Sequence, residues 1–255
     1  MINKGPESFF QNHQQKFTKS QPAVINKGLK RFFQKVQNWK YLHPIWYNAE
    51  TEENHMPTNK KAAFLIYPMF CNYEVALTLA AFERYGKEVV VFAKDKNPVK
   101  CEEGLHVLPD KSLDEFIIDQ FDCILLSGIG GNPEGVIFDD AYKNFLKQFI
   151  SREDILIASN SISPTLLARA GLLKGKQFCV GMYEEAKAEL DFFEYENQQR
   201  APIVIDGNII TAMGMAFREF AIAITRKLGY ECSDSRWGEI KYPINPEDYI
   251  FRMNQ

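Results

Sequence analysis

The stretch that decides the fold is Ile155-Leu-Ile-Ala-Ser-Asn-Ser161-Ile-Ser-Pro164-Thr-Leu-Leu-Ala-Arg-Ala-Gly171-Leu-Leu-Lys-Gly175. Its apolar start predicts a buried strand, and the segment from Pro164 to Gly171 predicts a helix. Only a short turn containing Ser161 separates the two. A strand that leads directly into a helix presents the turn side chain at the top of a sheet, beside unpaired helix N–H groups. Ser161 therefore lies where a nucleophile is expected.

On both sides of this stretch, short apolar runs alternate with segments of helical spacing. Strands are predicted near residues 62–67, 88–92, 105–108, 123–126, 155–158, 177–180, 203–205 and 209–211, and helices near 73–85, 112–119, 141–150, 164–170 and 216–228. The alternation implies right-handed crossovers and a mainly parallel sheet covered on both faces. The expected fold class is therefore a flavodoxin-like, doubly wound α/β domain with an N-terminal helical extension.

Composition indicates the cellular compartment that suits the chain. It has 255 residues, is 45% hydrophobic and carries a formal charge of −3. Its five cysteines are an odd number without close pairing, which favours a reducing compartment. The sequence shows neither a secretory signal nor a run of eighteen apolar residues. We therefore expect a cytoplasmic protein, without a nucleic-acid partner.

Charge and apolar spacing divide the chain into three parts, predicted as a basic helical extension and linker (1–60), an α/β domain (61–235) and a C-terminal tail (236–255). Residues 1–48 contain eight Lys and Arg but one acid, a surplus of about +7 that leaves about −10 for the rest. Between Ala23 and Leu42, apolar residues recur at helical spacing with basic residues between them. We expect this helix to pack on its own domain or across a dimer. Contact with an anionic membrane surface or with a partner protein stays open as the alternative.

Four segments in one order carry a resemblance to a known family. The Ser161 segment is similar to the pattern A-x-C-x-G-P-x-x-L-A-x-A-G-L-L-x-G, and Glu74 stands twelve residues before Gly86. The other two segments are Asp122-Cys-Ile-Leu-Leu-Ser-Gly-Ile-Gly-Gly-Asn132 and Asp206-Gly-Asn-Ile-Ile-Thr-Ala-Met-Gly-Met-Ala216. Over residues 61–230 the chain resembles the ThiJ/PfpI family of the class I glutamine amidotransferase-like superfamily. Ser161 stands at the position of that family's nucleophilic cysteine.

The resemblance implies the composition of the site. Ser161 occupies the nucleophile position and Glu74 the acid position, while the N–H groups of Ile162 and of Gly130 or Gly131 would form an oxyanion hole. The resemblance also places Glu74 in hydrogen-bond contact with Ser161, and partial desolvation should then raise the pKa of Glu74. Cys71, three residues before Glu74, is a candidate accessory thiol.

Residue types limit the chemistry of this site. A serine nucleophile needs an adjacent base, usually histidine, and the histidines of this chain are His13, His43, His55 and His106. The cysteines lack the spacing of metal ligands, so no metal site and no cofactor are expected.

Three functions follow as expectations. The first is a noncatalytic protein that binds or senses an unknown small molecule, and the family resemblance implies that it is a homodimer. The second is a Ser- or Cys-dependent hydrolase or lyase of the amidase, glyoxalase, deglycase or isonitrile hydratase type. The third is a dimeric platform that presents the basic N-terminal helix to a membrane or a partner.

Overall fold

The structure, a computed structural model, describes residues 45–47 and 56–237. The strands among these residues are β1 (Ile45–Tyr47), β2 (Lys61–Leu65), β3 (Val89–Ala93), β4 (Val99–Lys100), β5 (His106–Val107), β6 (Lys111–Ser112), β7 (Phe121–Leu126), β8 (Leu156–Asn160), β9 (Ile203–Asp206) and β10 (Ile209–Ala212). Eight of them form one sheet in the order β1-β9-β10-β8-β7-β2-β3-β6, parallel throughout except for the antiparallel pair β9 and β10. The short strands β4 and β5 pair separately as an antiparallel hairpin.

Helices cover this sheet in packed pairs, as its buried strands require. The α-helices are α1 (Ala76–Arg84), α2 (Glu134–Ile137), α3 (Asp140–Lys147), α4 (Pro164–Ala170) and α5 (Phe217–Lys227). Helix α1 packs against α5, and α3 packs against α4. All residues of β7 and β8 are buried, because a central parallel strand faces helices rather than water. The expectation of a flavodoxin-like α/β fold is confirmed.

The strand order creates a switch point between β2 and β7. From β2 the chain continues to β3 on one side, whereas β7 leads to β8 on the other side. Loops that follow such strands diverge and leave a crevice at the carboxyl edge of the sheet, where α/β proteins bind ligands. The loops after β2, β7, β8 and β10 begin at this edge because these four strands run parallel.

Two local predictions were wrong. Residues 112–119 form β6 and two 3₁₀ turns, Leu113–Glu115 and Ile118–Gln120, instead of a helix. The ring of Phe116 packs edge-on against Phe92 at 5.1 Å, and this burial overrides the helical spacing. Residues 177–180 contribute one isolated bridge, from Phe178 to Gln198, instead of a strand. The short strand predicted at 105–108 is present as β5, which pairs with β4 outside the main sheet.

The terminal predictions fall largely outside the described residues. The basic helix predicted between Ala23 and Leu42 lies there, as does most of the predicted C-terminal tail. Within the segment assigned to the extension, Ile45–Tyr47 pairs in parallel with β9 and so forms one edge of the sheet. In the part of the chain that the structure describes, no helix has the length and apolar character needed to cross a bilayer.

Candidate functional site

Ser161 occupies a strained turn between β8 and α4. Its φ angle is +60°, in the left-handed region that serine rarely adopts. The backbone is held there from both sides, because the N–H of Ser161 donates to the carbonyl of Ala212 at 2.8 Å and its carbonyl accepts from the N–H of Gly181 at 2.7 Å. Strain that the surrounding structure maintains in this way is typical of functional turns. The expected strand-turn-helix geometry is thus present at Ser161.

Glu74 lies directly beside Ser161 although it comes from the loop after β2. Only 2% of Glu74 is exposed, and its carboxyl group accepts hydrogen bonds from the Gly128 N–H at 2.6 Å and from the Ser161 hydroxyl. Burial raises the pKa of Glu74, and these hydrogen bonds offset only part of that shift. The sequence-based expectation of this contact and of a raised Glu74 pKa agrees with the geometry.

Two glycines make room for the pair formed by Glu74 and Ser161. A Cβ atom added at Gly128 would lie 2.5 Å from Oε2 of Glu74 and 2.8 Å from Cβ of Ser161. A Cβ atom added at Gly214 would lie 2.6 Å from Oε1 of Glu74. All three distances are shorter than ordinary Cβ contacts, so a side chain at either glycine would force Glu74 or Ser161 to shift.

A buried hydroxyl network supports the turn from below. The hydroxyl of Ser163 lies 2.7 Å from that of Ser159 and donates to the carbonyl of Asn160 at 2.7 Å. The side-chain amide of Asn160 donates to the carbonyl of Glu74 at 3.4 Å. These contacts join the end of β8 to the loop after β2, and they hold Ser161 and Glu74 in register.

A cavity of about 670 Å³ opens above Ser161. The loops after β7 and β8 and the segment around Gly181 form its walls. Its lining combines carboxylates with apolar and aromatic side chains, including Glu102, Glu134, Glu189, Ile137, Phe138 and Leu190. This volume lies within the range of small-molecule sites.

The proposed oxyanion donors differ in what their N–H groups contact. Ile162 and Gly131 line the cavity, and neither donates a backbone hydrogen bond within the described residues. Gly130 also lines the cavity, but its N–H donates to the carbonyl of Met69 at 2.7 Å. This bond corrects the prediction for Gly130, because an engaged N–H group is not free to stabilise an oxyanion. The remaining candidates are Ile162 and Gly131.

Cys71 does not have the environment of a reactive thiol. Its Sγ donates to Oε2 of Glu102 at 2.9 Å, and only 4% of the residue is exposed. Burial raises the pKa of the Cys71 thiol, and the adjacent carboxyl groups of Glu102 and Glu74 raise it further. Since the thiolate is the reactive form, this environment argues against the accessory-thiol prediction.

Neither histidine nor a metal-binding cluster lines the cavity among the residues that the structure describes. Among the residues that the structure describes, His106 is the one histidine, and it is exposed on β5 rather than lining the cavity. Within that same part of the chain, no group of three or more His, Cys, Asp or Glu side chains is arranged to hold a metal ion.

Sequence reasoning missed three residues of the site. Glu102 reaches the cavity from the loop before β5, and a Cβ atom at Gly130 would lie 2.6 Å from its Cδ. No local pattern could have found it, because the approach depends on how that loop crosses the loop after β7. Gly128 and Gly214 belong to two of the segments that carry the family resemblance. A glycine at these positions was the one sequence signal that other groups approach the backbone closely there.

Comparisons with known proteins support the fold. The profile of the DJ-1/PfpI family matches residues 60–227. Protein dj-1beta of Drosophila melanogaster is 29% identical over 172 residues, which are 67% of this chain and 90% of that protein. Protein/nucleic acid deglycase 2 of Escherichia coli is 31% identical over 121 residues, 47% of this chain and 69% of that protein.

A solved structure extends this comparison to three dimensions. The DJ-1 superfamily protein from Agrobacterium tumefaciens superposes with a TM-score of 0.61 at 26% identity, covering 70% of this chain and 94% of that one. The chain described here belongs to the DJ-1/PfpI family.

Proposed function

We propose that this protein binds a small molecule in the cavity above Ser161 and has lost the thiol chemistry associated with its family. The observation that carries the proposal is the hydrogen bond between the Ser161 hydroxyl and the buried carboxyl group of Glu74, directly beneath a cavity of about 670 Å³. In this proposal Ser161 replaces the family cysteine, and the pair formed by Glu74 and Ser161 supplies polar contacts to the ligand.

The chemistry of serine supports a noncatalytic role. A cysteine beside a helix N-terminus can ionise near neutral pH, but a serine alcohol cannot. Serine attacks only when a base removes its proton. No histidine lines the cavity among the described residues, and the raised pKa of Glu74 enlarges the fraction of that carboxyl group that is already protonated. A protonated carboxyl group does not accept a further proton from serine.

A second candidate, a serine-dependent hydrolase or lyase, is favoured by two observations. The backbone at Ser161 keeps the strained φ of +60°, and within the described residues no backbone carbonyl accepts from the N–H groups of Ile162 and Gly131. In this alternative the ionised fraction of Glu74 acts as the base, because a carboxylate with a raised pKa is a stronger proton acceptor. The deglycase relative is consistent with this class of activity.

Activity assays separate the two candidates. Wild-type protein and the Ser161→Ala and Glu74→Gln variants would be assayed with methylglyoxal and with model amides. We expect no turnover that depends on Ser161. We also expect mass spectrometry of the native protein, purified from its host, to detect a bound small molecule. This molecule should be absent from the Met213→Trp variant, in which the larger side chain fills the cavity. Turnover that disappears in Ser161→Ala would establish the hydrolase instead.

The proposal also includes a homodimer in a reducing, cytoplasmic compartment. The homodimer rests on the family resemblance, and the reducing compartment is supported by five free, buried cysteines, Cys71, Cys101, Cys123, Cys179 and Cys232. Light scattering on the purified protein measures the oligomeric state, and we expect the mass of two chains. A monomer at micromolar concentration would contradict this part of the proposal.

A further inference from the structure

Among the described residues, the charged side chains that line the cavity above Ser161 are all acidic. Three carboxylates, those of Glu102, Glu134 and Glu189, line it, and no lysine or arginine does so among the described lining residues. Glu102 accepts a hydrogen bond from the neutral thiol of Cys71, which leaves its charge uncompensated. Glu134 and Glu189 form no ion pair within the described part of the chain.

One described cation beside the cavity wall, Arg169, already has partners. Arg169 lies 5.7 Å from the ring centre of Phe138, a cavity residue. Its guanidinium group pairs with Asp140 at 2.7 Å and donates to the carbonyls of Ile137 and Asp139, each at 3.1 Å. Arg169 therefore supports the cavity wall and does not supply a positive charge to a ligand.

Groups around Ser161 respond to this negative field. The carboxyl groups of Glu102 and Glu74 both raise the pKa of Cys71, beyond the effect of burial. The charge of Glu102 also contributes to the raised pKa of Glu74. Burial, together with the charges of Glu74 and Glu102, raises the pKa of Tyr73 to about 12. A field that disfavours these anions also disfavours a bound anion, whereas it attracts a cation.

The remaining walls suit an apolar group next to the cationic one. Ile137, Leu190 and Met213 supply aliphatic surface, and the rings of Phe138 and Tyr183 line the same cavity. An aromatic face attracts a cation through its quadrupole, so rings and carboxylates favour the same ligand charge. The lining therefore matches an amphipathic molecule with one positive group.

We infer that the cavity above Ser161 selects small amphipathic cations, such as primary amines with an apolar substituent, over neutral or anionic molecules of the same shape. This inference rests on the proposed small-molecule function of the cavity and specifies its ligand class. A second cavity of about 490 Å³ lies across the loop that contains Asn132, and it includes Lys94 and Lys100. Asp95 and Asp139 line it as well, and Lys94 pairs with Asp139 at 2.6 Å, so this second cavity has no comparable excess of one charge.

Three probes with one ring and different charges test the inference. Benzylamine, benzyl alcohol and benzoate would be titrated into the full-length protein, and binding would be followed through the NMR amide signals of Gly131 and Gly181. At low salt we expect benzylamine to bind about tenfold more tightly than benzoate, as measured by the shifts of these two amide signals. The difference should shrink at 0.5 M salt because mobile ions screen the charges at the cavity rim.

Variants assign the preference to the cavity carboxylates. Glu134→Gln and Glu189→Gln together should reduce the preference for benzylamine at least threefold, whereas the exposed Glu83→Gln on α1, outside the cavity, should leave it unchanged. If benzoate bound as tightly as benzylamine and shifted the same amide signals, the inference would be overturned and the proposed function would stand. Failure of all three probes to shift these amides would overturn both.

Discussion

At the scale of single residues, the φ angle of +60° at Ser161 is the feature that distinguishes this turn from an ordinary helix start. An L-residue pays a steric cost in that conformation because its Cβ approaches the backbone carbonyl, and glycine does not. The hydrogen bonds to Ala212 and Gly181 impose the conformation from outside the turn. Folding thus maintains a strained position at the centre of the site.

Replacing Ser161 measures that strain. Ser161→Gly and Ser161→Ala both remove the hydroxyl, but only glycine relieves the left-handed backbone, so we expect the glycine variant to be more stable by about 0.5–1 kcal/mol. Urea unfolding of the two variants measures the difference. The control is Ser163, whose φ is −63° and where the alanine variant should be the more stable of the two. The same order at both positions would show that Ser161 is not strained.

The raised pKa of Glu74 predicts how stability depends on pH. The native state holds this proton more tightly than the unfolded chain does, so Glu74 reduces stability as pH rises from about 4.5 towards the folded-state pKa. Glu74→Gln removes this titration, and its stability relative to wild type should therefore increase between pH 4.5 and neutrality. Denaturant unfolding at a series of pH values tests the sign.

Glu115 provides the opposite case. Its hydrogen bonds with Lys96 and Ser112 lower its pKa to about 2, so its stabilising effect is present above its unfolded-state pKa and is lost as pH falls towards 2. The stability of Glu115→Gln relative to wild type should therefore decrease as pH rises from 2 to 4.5. If Glu74→Gln followed the same trend as Glu115→Gln, the burial argument for Glu74 would fail.

At the scale of elements, a buried ion pair joins the segment between α1 and β3 to the start of β7. Lys87 Nζ lies 2.5 Å from Oδ1 of Asp122, and the two side chains are 1% and 8% exposed. The hydroxyl of Thr58 also donates to this carboxylate. Together with Thr58, the pair therefore connects three segments at the edge of the sheet opposite the site.

Breaking this pair should be costly because one charge stays buried without a partner. We expect Lys87→Met to lower the free energy of unfolding by about 3–5 kcal/mol. The control is the exposed pair of Lys61 and Glu88, where Lys61→Met should cost no more than about 1 kcal/mol. Adding Asp122→Leu to Lys87→Met should recover much of the loss. Equal losses in the Lys87 and Lys61 variants, measured by urea unfolding, would contradict this account.

At the scale of the whole molecule, one edge of the sheet depends on residues far from the family region. Strand β1 covers β9, whose backbone groups would otherwise be unpaired. Deleting residues 1–48 removes β1, and deleting residues 1–43 retains it. We expect the longer deletion to melt at a lower temperature, by about 2–4 °C for each kcal/mol lost, and to associate more readily.

Thermal melts and mass in solution compare the two truncated proteins. Since they differ by only five residues, the comparison isolates the edge strand from the basic segment before it. Identical melting temperatures and masses would show that β1 does not stabilise the sheet.

The sequence by itself determined the alternation of strands and helices, the parallel sheet and the position of Ser161, because each follows from local spacing and turn chemistry. Resemblance to a family added Glu74. Local spacing failed at residues 112–119, where burial of Phe116 overrode it.

Only the tertiary structure decided which groups act at the site. It engaged the Gly130 N–H with Met69, placed the carboxylate of Glu102 against Cys71 and gave the cavity its negative walls. The physical reason is that these contacts join loops that are distant in sequence and meet only where strands diverge at the switch point. Periodicity within a segment carries no information about such meetings.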